Sequence, residues 1–276
     1  MEMAINMMKR LLITTIFVLF TQSAIIAGTT GSEELKAKNS DTNVKECFEG
    51  VSRTMFKLNH GLDKVIFEPV AKGYRALPSP IRKGTGNAVD NLRSLLTLSN
   101  NLLQGDFSGA GNTAGRFAIN TTVGILGVFD PAAKLGLEER GKEDFGQTLG
   151  KWGSGPGCYF VLPILGPTTT RDAIGLVGNV FIDPVYQITH NTEISNGVIG
   201  NSNYSEHNYY YYRSAGAVDF RAKNIESFDS LEENSIDLYA SLKSLYLQNR
   251  KQKIANTKSA VETQDDSDWE EIETNN

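Results

Sequence analysis

The chain is poor in the residues that usually carry chemistry. Its 276 residues include two cysteines, Cys47 and Cys158, and three histidines, His60, His190 and His207. Two cysteines do not make a disulfide framework. One bridge between them can form in an oxidising compartment, and two unpaired thiols fit the sequence equally well. No histidine has a partner at metal-ligand spacing and HExxH is absent, so neither metal nor cofactor is expected. Ser154 lies between glycines, but Trp152 and Pro156 fill the outer positions of the G-x-S-x-G elbow. Gly84-x-Gly86 lacks a third glycine and a preceding strand, and there is no Walker motif. The pair Glu138-Glu139 sits in a charged run, with nothing to place two carboxylates around a substrate. No catalytic constellation remains, and the chain is expected not to be an enzyme. Excess positive charge is also missing: the net charge is -5, which argues against a nucleic-acid partner.

Beyond the N-terminus, apolar runs are short. Residues 117–129 carry no formal charge, but a helical span needs about 20 residues. Near the N-terminus, Lys9 and Arg10 precede an apolar run from Leu11 to Phe20, followed by small residues at Ser23, Ala24, Ala27 and Gly28. Residues 1–28 are expected to be an export signal, or an uncleaved anchor because apolar residues resume at Ile25-Ile26. Residues 29–44 are polar and aperiodic, as in a flexible tether. The composition, 40% hydrophobic and 21% charged, is that of a globular body. Residues 45–252 are assigned to that body, and 253–276 to an acidic, polar tail expected to be disordered.

Within the body the pattern is helical. Phe48, Val51, Met55, Leu58, Leu62 and Val65 recur at three- or four-residue steps, giving an amphipathic helix or a helix pair broken at Gly61. Residues 68–86 carry Pro69, Pro78, Pro80, Gly84 and Gly86, so regular structure is expected to be interrupted there, apart from a short helix at 70–74. Lys72, Arg75, Arg82 and Lys83 give this connector a basic tone, read as a solvated face. Residues 87–104 form the clearest helix. Ala88, Val89, Leu92, Leu95, Leu96, Leu102 and Leu103 make one stripe, Asp90, Asn91, Arg93, Ser94, Thr97 and Asn101 cover the other side, and Gly105 stops it. The leucine stripe must meet either a core or a membrane. The uncharged run 117–129 can be a buried helix or lie in one leaflet. Asp130-Pro131 ends it, with Asp130 as cap or turn residue. Residues 190–215, with tyrosines at 209–212, read as a loop or a turn before a helix start. Leu238, Leu242 and Leu245 mark a last helix ending near Lys251. The expectation is a mainly α, compact bundle of short amphipathic helices.

The stretch from residue 143 to 172 is different. Glycines at 146, 150, 153, 155, 157 and 166 and prolines at 156, 163 and 167 make it a loop rather than a long helix. It is nevertheless apolar, with Trp152, Tyr159, Phe160, Val161, Leu162, Ile164 and Leu165. Such a loop needs a core or a lipid to touch.

This stretch resembles the VacJ/MlaA outer-membrane lipoproteins of Gram-negative bacteria. The family pattern is an acidic residue, Phe-Gly-x-Thr-Leu-Gly, a Gly-rich turn, Tyr-x-x-Leu-Pro-x-x-Gly-Pro and Arg-Asp, and each piece is present in order. Arg116-Phe117, Asn120-Thr121, Gly124, Gly127, Asp130 and Ala132 match a second family segment, and Glu49, Gly50 and Arg53 part of a third. The similarity runs from about Phe48 to about Lys251. One departure stands out. Family members end the signal in a lipidated cysteine, whereas no cysteine lies near the signal here and Cys47 follows Lys45-Glu46.

The resemblance implies a helical disc in the inner leaflet of the outer membrane, on the periplasmic side, with a central amphipathic channel for phospholipid. It implies removal of mislocalised phospholipid from the outer leaflet, and two protein partners, a trimeric porin and a soluble periplasmic lipid carrier. By the same resemblance Gly153 and Gly155 fall on a flexible gating turn, Asn59 and His60 at the lipid-entry rim, and Asp172 near the porin contact. His60 departs from an apolar residue in the family. From the residues alone, Asn59 and His60 read as a helix end or an exposed polar face, and the glycines as a turn requirement. A periplasmic helical scaffold that binds another protein and holds no lipid channel is the alternative.

Overall fold

The structure is a computed structural model that describes residues 44–190 and 207–255. The signal, the tether up to residue 43, residues 191–206 and the tail from residue 256 lie outside the described residues.

Helix α1 (Glu49–Leu62) runs unbroken through Gly61, the first of the two alternatives, and continues as one wide π turn (Asp63–Phe67) into α2 (Glu68–Arg75). The cause is Pro69, which has no N–H to donate and whose ring would crowd the carbonyl four residues back. Widening the preceding turn relieves both problems. Helix α3 (Ser79–Leu103) starts eight residues before the expected Asn87, with Pro80 tolerated in its first turn. Gly84 and Gly86 sit inside it because neighbours come close: an added Cβ would lie 3.0 Å from Val128 Cγ1 and 3.1 Å from Asp219 Oδ2 respectively. Gly105, at φ 74°, ends the helix as expected.

Asp106 then caps α4 (Phe107–Thr122), its Oδ1 accepting from Gly109 N at 2.8 Å. Asn101 donates to Thr113 Oγ1 at 3.2 Å and Asn91 to Thr121 Oγ1 at 2.9 Å, a pattern that only antiparallel helices can make. The uncharged run does not stay helical to Phe129. It closes in a tight turn with Ile125 and Leu126 at φ 54° and 55°, conformations that β-branched and bulky side chains rarely adopt. Asp130 caps the short α5 (Pro131–Lys134), as expected.

The 143–172 stretch contains a helix and a hairpin that its composition did not announce. Asp144 caps α6 (Phe145–Lys151). Strands β1 (Tyr159–Leu162) and β2 (Gly166–Thr169) pair antiparallel with Tyr159 opposite Thr169 and Leu162 opposite Gly166. Thr169 caps α7 (Thr170–Ile182). Then come α8 (Pro184–His190), α9 (His207–Lys223), α10 (Ile225–Asn234) and α11 (Leu238–Ile254). The four tyrosines belong to α9, not to a loop. Cys47 and Cys158 form a disulfide with Cα atoms 5.6 Å apart. It fastens the N-terminal segment beside β1, where Tyr159 N also donates to Lys45 O at 2.9 Å.

Among the described residues two apolar clusters of buried residues hold these elements. One joins Tyr159, Val161, Tyr239 and Leu247, and the other Ala71, Ala222 and Ile225. Among the described residues the largest fully buried side chains are, apart from Tyr159, polar: Gln147, Asn100, Thr148, Thr169, Asp183 and Ser52. Meanwhile Leu92, Leu102 and Leu103 of the α3 stripe are exposed. The bundle is mainly α, but its helices turn much of their polar side inward.

Candidate functional site

Buried polar groups need partners, and around Asn100 and Thr148 they have them, although Gln147 Oε1 beside Thr148 finds none. Thr148 Oγ1 donates to Asn100 Oδ1 at 2.7 Å, and Gln104 Nε2 donates to Glu143 Oε2 at 2.9 Å and to Thr148 Oγ1 at 3.1 Å. Next to this chain lies an ionic one. The Arg250 guanidinium of α11 makes paired hydrogen bonds to Asp144 at 2.6 and 3.0 Å and to Asp172 at 2.7 and 3.1 Å. Arg171 and Tyr246 also donate to Asp172, at 3.0 and 2.5 Å. The two carboxylates can share one arginine because α6 and α7 touch backbone to backbone: a Cβ on Gly175 would lie 2.4 Å from Gly146 N.

The electrostatics follow from these contacts. Burial disfavours the charged forms of Asp144 and Asp172, but the charge and hydrogen bonds of Arg250 outweigh it and hold both carboxyls below the ordinary range. Glu143 has no such partner, and burial pushes its carboxyl up. Asp172, expected near a porin contact, therefore turns its carboxylate inward and is itself buried.

Two compartments flank α3. On its polar side a cavity of about 70 Å³ lies between α3 and α4, room for roughly five water-sized groups. Asn91, Thr97, Thr113 and Asn120 form its buried floor. Its walls hold two ion pairs, Arg116 with Asp130 at 2.7 Å and Lys142 with Asp90 at 2.6 Å. Glu139 and Arg140 stand exposed at its mouth. On the other side of α3 a groove of about 620 Å³ is lined by Ile81, Ala88, Val89, Leu92, Val128, Phe129 and Tyr212, with few polar atoms. The 123–129 turn divides the two and is held to α3 by Asn87 Nδ2, which donates to Val128 O at 3.2 Å. A polar pocket and an apolar groove across one helix suit a molecule with a polar and an apolar end.

The residues singled out by sequence fall elsewhere. Asn59 is neither a helix cap nor part of an exposed face. Its amide grips the hairpin tip, donating to Leu162 O at 2.8 Å and accepting from Ile164 N at 2.7 Å. His60 stacks on Phe56 and lies 3.4 Å from Glu232. Gly153 needs glycine for its φ of 91°. Gly155 has open space around it and no such requirement. Asn59 thus meets the far end of the segment that carries the two glycines, while His60 faces α10 and Asp172 faces α11. Sequence reading missed Arg250 and Arg221, which joins α9 to the π turn through Asp63 at 2.8 and 2.9 Å. Neither stood out in the sequence, because Lys251 and Lys253 follow Arg250 and Lys223 follows Arg221. Among the described residues no group of three or more His, Cys, Asp or Glu could hold a metal ion, and no helix is long and apolar enough to cross a membrane.

Comparison with known proteins bears on what this arrangement is. A family model described as MlaA lipoprotein matches residues 44–253. An uncharacterised protein of Rickettsia prowazekii is 38% identical over 156 residues, which is 56% of this chain and 62% of that protein's length. The intermembrane phospholipid transport system lipoprotein MlaA of Haemophilus influenzae is 32% identical over 228 residues, 79% of this chain and 84% of the relative. A solved structure reported as a structural basis for maintenance of bacterial outer membrane lipid asymmetry is 29% identical. It superposes with a TM-score of 0.61 and covers 75% of this chain and 97% of that one. The family match spans most of the chain, including the polar interior, both compartments and the hairpin, and the chain belongs to the MlaA lipoprotein family.

Proposed function

We propose that this chain moves phospholipid at the periplasmic side of the outer membrane. It takes misplaced lipid from the outer leaflet and passes it to a soluble periplasmic carrier, beside a trimeric porin. The observation that carries the reading is the pair of compartments across α3: a polar cavity and an apolar groove separated by one turn. A headgroup buried in hydrocarbon without partners is costly, and acyl chains in water are equally misplaced; this pair of compartments offers each end its own surroundings. The intermembrane phospholipid transport role in the names of the Haemophilus influenzae and Escherichia coli relatives supports the same reading.

A seat within one leaflet is supported by the outer surface. Ile125, Leu126, Val177 and Phe181 are all more than half exposed. Trp152 donates to Leu103 O at 3.0 Å and packs edge-on against Phe145, whose ring lies against Gly178 of α7. The exposed apolar residues of the α3 end, Trp152 and α7 are therefore neighbours, and an apolar patch of this kind fits a membrane contact.

Lipids copurifying with the detergent-extracted full chain test the reading. Bound phospholipid seen by mass spectrometry is expected. A protein free of lipid and recovered wholly in the aqueous fraction would favour the scaffold alternative. Within this proposal Asn59 and His60 serve the entry rim, Asn59 by setting the hairpin tip where Ile164 and Leu165 stand exposed. Asp172 serves a porin contact indirectly, by fixing α7 on Arg250. Gly153 and Gly155 are the gate. Proline at Gly153 would also reshape the turn, since its φ is positive. Gly155→Pro is the cleaner stiffening, and it is expected to slow transfer to the carrier severalfold. An unchanged rate removes the gating role.

A further inference from the structure

The polar cavity beside α3 carries information about which headgroup it takes. Its lining holds three cations, Arg116, Arg140 and Lys142, and three anions, Asp90, Asp130 and Glu139, so its formal charge is zero. Two cations are already matched by carboxylates in the walls, at 2.7 and 2.6 Å, and Arg140 at the mouth donates to Ser108 Oγ at 3.0 Å. An anionic headgroup entering here finds no surplus positive charge. It can pair with Arg116 or Lys142 only by leaving that cation's carboxylate partner in a partly desolvated place, which is unfavourable, and Arg140 is exposed at the mouth, where water weakens any pairing. A headgroup carrying both signs can lie along the paired charges, phosphate toward the arginines and lysine, ammonium toward Asp90 and Glu139, leaving no charge unbalanced. The volume of about 70 Å³ favours a small headgroup over a sugar.

We infer that the cavity between α3 and α4 is a selectivity site for compact zwitterionic headgroups, of the phosphoethanolamine kind, over anionic ones. The inference rests on the phospholipid reading and adds to it a discrimination between headgroups, with Asp90 and Glu139 as the residues that set it. Removing one of these carboxylates leaves the cavity one positive charge in excess, and that charge should draw anionic lipid.

The test is native mass spectrometry of the full chain in detergent, titrated with phosphatidylethanolamine and phosphatidylglycerol of identical acyl chains. The intact chain should retain phosphatidylethanolamine roughly tenfold more than phosphatidylglycerol, and Asp90→Asn should erase or invert that ratio. Glu139→Gln, at an exposed position where folding is not at issue, should shift the ratio the same way by a smaller factor. Equal retention of both lipids, or a preference for phosphatidylglycerol, overturns the selectivity while leaving lipid binding intact. A ratio untouched by both substitutions moves selectivity away from this cavity. Failure to retain either lipid sinks the transport reading itself.

Discussion

Between α3, α6, α7 and α11, Asn100 and Thr148 are fully buried and Asp144, Asp172 and Arg250 share one ionic cluster. On the 123–129 turn and α7, by contrast, Leu126 and Phe181 are each 72% exposed. An ordinary globular protein distributes these residue types the other way. The interior is held by hydrogen bonds and ion pairs that contribute little net stability but are costly to break one-sidedly. The exterior gains nothing from water and would gain from hydrocarbon, where full burial of one such side chain is worth about 1.5–3 kcal/mol. Interior geometry and exterior solvent are thus separately breakable, and each variant should damage one without the other.

The largest effect is expected from Arg250→Ala, which strips the shared partner from two buried carboxylates. Loss of about 3–5 kcal/mol is expected, a fall in Tm of roughly 10 °C by thermal denaturation. A Tm within a degree or two of the parent would show that the cluster is not what joins α11 to α6 and α7.

Acid should loosen the same cluster in the unaltered chain. Asp144 and Asp172 have depressed folded-state pKa values. Their contribution is complete above the unfolded carboxylate value of about 3.9 and is lost as pH falls through the folded values. Glu143 works in the opposite sense. Its raised pKa contributes stability that is complete below the unfolded value and is lost as pH rises through its folded pKa. Tm measured from pH 5 down to pH 2 should therefore fall, and fall less steeply in Arg250→Ala. Parallel slopes in the two proteins would assign the acid sensitivity to other groups.

The exterior is addressed by Val177→Ser, for which Tm in detergent should hardly move. Partitioning into vesicles should weaken by about 1.5–3 kcal/mol, roughly ten- to a hundredfold, in a flotation assay. A loss of Tm without a loss of partitioning would make α7 an internal packing face and reverse the comparison.

Local signals were legible where one residue decides the backbone. Gly105 stops α3 and Asp130 caps α5 because a positive φ and an unsatisfied N–H are short-range needs. The last helix was readable from Leu238, Leu242 and Leu245, and runs three residues past the expected Lys251. The hairpin was hidden because glycines and prolines lie before it, in its turn and inside β2 itself, so its strands carry no uninterrupted alternating pattern. The start of α3 was hidden because Gly84 and Gly86 read as breakers, whereas they are needed for close approach by Val128 and Asp219. Asn59 was placed on α1 by periodicity, but its grip on Leu162 and Ile164 spans about a hundred residues of chain and leaves no local trace.

By itself the sequence determined that the body is built mainly of amphipathic helices, where some of them stop, that the uncharged run 117–129 is too short to cross a bilayer, and which family the chain resembles. Tertiary structure alone decided which side of each helix faces in. An amphipathic stripe has the same spacing whether its apolar side meets a protein core or hydrocarbon. Only the antiparallel contact of Asn91 and Asn101 with α4, and the convergence of Asp144 and Asp172 on Arg250, reveal that the polar side is the inner one.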